Sequence, residues 1–104
     1  MGAQVMEDRY AVVTATLDPA SVDSATSTEQ DFTITGVLPG DVVVLNAPAL
    51  TAGLVICNVR VKSANTVSIM FGNLTTGAIN PASGTYRFLI FRPEKTTSGR
   101  FNPP

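Results

Sequence analysis

Residues 54–62 (LVICNVRVK) place apolar Val55, Cys57, Val59 and Val61 at odd positions and polar Asn58, Arg60 and Lys62 between or beside them. This period of two is the signature of a half-buried strand. After the short connection Ser63-Ala64-Asn65, Val67, Ile69 and Phe71 face one way and Thr66 and Ser68 the other, so 54–72 predicts a β-hairpin. Residues 85–92 (TYRFLIFR) predict a last strand, and 41–46 (DVVVLN) a short one that is apolar on both faces. Residues 9–17 (RYAVVTATL) alternate less cleanly, and 18–31 read as a polar linker rich in Ser, Thr and Asp before Phe32 and Ile34 alternate with Thr33 and Thr35. Pro39-Gly40 predicts a type II turn, because proline presets φ and glycine accepts a positive one. Pro48 bars 47–53 from a central strand, and 73–84 (NLTTGAINPASG) is rich in turn residues. About six short strands without a helix predict an all-β fold, a small antiparallel β-sandwich or barrel.

The last strand carries Tyr86, Phe88, Ile90 and Arg92 on one face and Arg87, Leu89 and Phe91 on the other. A two-layer fold needs one apolar face per strand, so Leu89 and Phe91 require a second cover, either a terminal arm or a subunit interface. After Arg92 the chain becomes PEKTTSGRFNPP, with three prolines and no periodicity, which predicts an extended or disordered arm. As an extended ligand it would anchor Phe101 in a neighbour's groove while Lys95 and Arg100 meet acidic surface. The chain therefore divides into an N-terminal arm (1–8), a β-sandwich domain (9–92) and a C-terminal arm (93–104). The interface candidates are Arg87, Leu89, Phe91, Lys95, Arg100 and Phe101.

Composition narrows the chemistry. Thr (13) and Val (12) dominate the 104 residues, charged residues are 14%, and there is no histidine, no tryptophan and one cysteine. Without histidine the usual general base near neutral pH is missing, and no nitrogen and sulfur ligand set for zinc can be assembled. No nucleophile-elbow, P-loop or acidic-dyad spacing occurs, so the reading is of no enzyme, no cofactor and no metal. Cys57, flanked by Val55 and Val59, reads as a small buried hydrophobe. Asn73-Leu74-Thr75 matches a glycosylation acceptor but reads as a strand-end turn. Residues 1–53 carry a charge of −6 and residues 54–104 one of +5, a split that either pairs within the fold or meets across copies. No two basic residues are adjacent, against a nucleic-acid partner. Residues 1–10 lack a signal-peptide pattern and no run approaches 18 apolar residues, against a membrane and for synthesis in a cytoplasm.

Residues 28–93 contain a Phe-Thr-Ile-Thr-Gly strand end, a Pro-Gly-Asp turn, an Ala-Gly-Leu strand entry, the strand Val-Ser-Ile-Met-Phe-Gly-Asn, and Gly-Ala-Ile-Asn-Pro. In these features the segment resembles the head decoration, or cement, proteins encoded beside the major capsid protein of tailed bacteriophages. The resemblance implies a jelly-roll-like β-sandwich made in the host bacterial cytoplasm that binds the outer surface of the capsid. Its implied partners are the major capsid protein and other copies of itself, a trimer favoured over a dimer because capsid joints often have local three-fold symmetry. Other classes are a head-fibre or tail accessory module, also a virion protein, and a host-surface carbohydrate-binding module, for which two tyrosines and no tryptophan offer few aromatic platforms.

Overall fold

The computed structural model describes residues 10–93. They form six strands: β1 (Tyr10–Leu17), β2 (Ser27–Thr33), β3 (Val42–Asn46), β4 (Leu54–Ser63), β5 (Thr66–Asn73) and β6 (Gly84–Phe91). These make two three-stranded antiparallel sheets, β1-β6-β3 and β2-β5-β4, and no helix occurs among the described residues. The expected arms, 1–8 and all but the first residue of 93–104, lie outside the described residues, as do Lys95, Arg100 and Phe101.

The period-two patterns become burial directly. On β6, Tyr86, Phe88 and Ile90 are buried, and Val67, Ile69 and Phe71 on β5 are fully so. Both sheets turn these faces to one apolar cluster, completed by Leu17, Val22, Ile34, Val37 and Leu54. Each such side chain contributes on the order of 1.5–3 kcal/mol by leaving water, which is why the central strands define the sheet positions. The Tyr86 hydroxyl reaches this interior without a hydrogen-bond partner, and burial raises its pKa.

Two strand readings change. The hairpin forms, but Cys57 is the extra residue of a β-bulge: Ile56 pairs Phe71 and Asn58 pairs Met70. The insertion reverses parity, so Leu54, Ile56, Val59 and Val61 join the core while Cys57 is exposed. Val55 and Cys57 instead lie over Gly72 on the outer face, where a β-carbon would meet Cys57 Sγ at 2.9 Å and Val55 Cγ2 at 3.1 Å. The expected linker 18–31 in fact contains most of β2, whose residues are polar on both faces up to Phe32, which packs against the core. On the inner side Gln30 closes the layer by accepting the Ala20 N–H at 2.8 Å and donating to the Ala20 carbonyl at 3.0 Å.

The turns follow their residues. Asp41 N–H donates to the Leu38 carbonyl at 3.0 Å across Pro39-Gly40, with Gly40 at φ +96°, as a type II turn requires. At the β4–β5 tip Asn65 takes φ +63°, and its side chain accepts the Gly36 N–H at 2.8 Å. Asn73 is buried at the end of β5 and donates to the Val22 and Gly77 carbonyls at 3.0 and 2.9 Å, which makes it a structural strand-end residue.

Candidate interaction face

The outer face of β1-β6-β3 is built in rows by strand register. Tyr10, Phe91 and Val42 form one row, Val12, Leu89 and Val44 the next, and Thr14, Arg87 and Asn46 a third. Two rows are wholly apolar and the third polar. Tyr10, Val12, Val42, Val44 and Leu89 are 42–62% exposed, and Phe91 is half-buried. Together they form one contiguous exposed apolar patch, a feature that on a monomer is often functional. Arg87, Leu89 and Phe91 are thus brought together as the sequence suggested. Tyr10, Val12, Val42 and Val44, which it did not single out, complete the face. Their signal was present in the two-sided apolarity of DVVVLN, but only the long-range register of β1 and β3 on β6 places them beside Leu89.

The opposite outer face, on β2-β5-β4, is an ion-pair array. Arg60 holds Glu29 through two hydrogen bonds of 2.7 and 2.9 Å, and Lys62 holds Asp31 at 2.8 Å. Ser68, buried beneath, donates its hydroxyl to Asp31 at 2.6 Å. The Arg60 hydrogen bond keeps the Glu29 carboxyl below its ordinary range, and those from Lys62 and then Ser68 do the same for Asp31. A third pair sits at the end of β6: Arg92 grips Asp41 through two bonds of 2.8 Å and donates to the Gly36 carbonyl at 2.9 Å. The Asp41 side chain is 2% exposed and also accepts the Leu38 N–H, and Arg92 lowers its pKa against the opposing effect of burial.

Every one of these pairs joins an acid from the first half of the chain to a base from the second. Three ion pairs among the described residues thus join the acidic half of the chain to the basic half inside the fold. Among the described residues no cluster of three or more His, Cys, Asp or Glu is arranged to hold a metal ion. A cleft of about 280 Å³ lies where β1 begins and β6 ends, lined by Tyr10, Ala11, Val13, Val37, Ile90 and Arg92 among others. Its guanidinium is the one committed to Asp41 and Gly36. Among the described residues, one outer sheet face thus carries internal ion pairs while the other exposes two apolar rows. No protein-family model, curated protein or solved structure matches the chain.

Proposed function

We propose that this protein is a structural virion component, a small β-sandwich that decorates and cements the outer surface of a bacteriophage capsid as a homo-oligomer. The observation that carries the reading is the apolar face of Tyr10, Val12, Val42, Val44, Leu89 and Phe91, open on one side of a small two-sheet body. It is the surface laid against the capsid. Strand nesting supports the jelly-roll form of the resemblance: β1 pairs β6, β2 pairs β5, and β3 and β4 flank them on opposite sheets, as when one long hairpin is rolled over itself. The role is non-catalytic. Binding only the assembled lattice stabilises it by mass action, and copies linked in an oligomer attach more tightly together than singly.

The test adds purified protein to heads of the phage that encodes it, prepared without it, and compares their disruption temperatures. Co-sedimentation with a raised disruption temperature supports cementing. Binding without stabilisation points to a head-fibre or tail accessory, and failure to bind at saturation to a host-surface module.

A further inference from the structure

Sheet edges present unpaired backbone donors and acceptors, and proteins shield them with charge, proline, bulges or short length. Three of the four edges formed by the described strands are shielded. β2 carries Glu29 and Asp31, and β3 is five residues long. β4 carries Arg60 and Lys62 and is broken by register shifts at Ile56/Asn58 and Val61/Ser63. β1 has none of these features: its eight residues, YAVVTATL, contain no charge and no proline and run in unbroken register with β6. Tyr10, Ala11, Val12, Thr14 and Thr16 along it are all exposed.

We propose that β1 is a self-recognition edge, and that two copies pair β1 antiparallel with β1 about a two-fold axis to form one six-stranded sheet. The axis stands perpendicular to the sheet beside Thr14, so outer-face residues oppose outer-face residues and both apolar faces lie on the same side of the joined sheet. No like charges meet, because β1 has no charged side chain. Pairing of β2 or β4 with itself would oppose carboxylates or cations instead. A single self-complementary edge closes at two copies, in place of the three implied by the resemblance.

The test is sedimentation equilibrium of the full chain at about 100 µM, where mass action favours any pairing. The expected mass is twice the 10.9 kDa of one chain. Two variants separate edge from face. Thr14→Glu and Asn46→Glu each put a carboxylate opposite Arg87 in the same row, one on β1 and one on β3. Both keep the fold, which far-ultraviolet dichroism checks, because an opposite charge across strands is favourable. Thr14→Glu sets two carboxylates near the axis and weakens pairing at least about tenfold, the equivalent of about 1.4 kcal/mol, while Asn46→Glu leaves it within about twofold. A wild type that runs as one copy or as three, a Thr14→Glu protein that stays paired, or an Asn46→Glu protein that dissociates equally overturns the proposal. No capsid enters the measurement, so its failure is separate from failure of the attachment reading.

Discussion

Replacing Gly53 by alanine should be among the more damaging small changes available in this chain. Gly53 precedes β4 with φ +92°, a conformation that costs a residue with a β-carbon about 1–2 kcal/mol. The added β-carbon would also overlap Thr75 Cγ2. That methyl cannot swing aside cheaply, because the Thr75 hydroxyl sits between two acceptors for its one proton, Asn73 Oδ1 at 2.7 Å and the Gly77 carbonyl at 2.8 Å, which fixes its rotamer. Overpacking adds about 1–3 kcal/mol, for a total of about 2–5 kcal/mol. Gly40→Ala isolates the backbone contribution, since Gly40 has φ +96° with nothing within 4 Å of a new β-carbon, and it should cost only about 1–2 kcal/mol. Thr75→Ser deletes the obstructing methyl and keeps the hydroxyl, so Gly53→Ala/Thr75→Ser should return to the cost of Gly40→Ala. Urea unfolding followed by circular dichroism at one fixed protein concentration measures all four variants. Equal costs for Gly53→Ala and Gly40→Ala, or no rescue by Thr75→Ser, would refute the packing between the β4 entry and the 73–77 turn.

Further outcomes follow from the polar groups. Tyr86→Phe removes a buried hydroxyl without a partner, so stability should be unchanged or rise by up to about 1 kcal/mol by chemical denaturation. With its pKa raised in the folded state, Tyr86 supports the fold fully below the ordinary tyrosine range; that support is lost as pH rises through the raised value, and the Phe variant should lose less at alkaline pH. Glu29, Asp31 and Asp41 are lowered instead, so their contribution is present above the ordinary carboxylate range and lost as pH falls through the lowered values. A thermal midpoint that drops on acidification, and drops less in Asp41→Asn, checks this. Asn73→Ala removes one of the hydrogen bonds to each of the Val22 and Gly77 carbonyls and leaves the Thr75 N–H without its partner, and should cost about 1–3 kcal/mol in the same urea assay.

The hairpin, the last strand and the Pro39-Gly40 turn were legible because each rests on local pattern: period two, or one proline-glycine pair. β2 was hidden because its residues answer to distant partners. Glu29 and Asp31 meet bases on β4, and Gln30 meets the Ala20 backbone, so no apolar alternation marks the strand before Phe32. Cys57 was misplaced by a single inserted residue, which reverses every side chain on one side of it and leaves no mark in a run of apolar residues. Leu89 and Phe91 announced a second apolar strip within one strand. The width of that strip depends on which residues of β1 and β3 lie opposite, a register set by contacts some eighty and fifty residues away in sequence.

The proposed attachment to a capsid through the apolar face of β1-β6-β3 is tested most directly by comparing two leucine variants for binding to capsids. Leu89 lies at the centre of the face, whereas Leu74, 75% exposed, lies in the turn after β5. Purified Leu89→Asp and Leu74→Asp, each confirmed as folded, are titrated against heads prepared without the protein and quantified by sedimentation. Burying an unpaired carboxylate against the capsid should weaken Leu89→Asp at least about tenfold, while Leu74→Asp binds within about twofold of the wild type. Wild-type binding by Leu89→Asp, or equal loss in both variants, would contradict the assignment of this face.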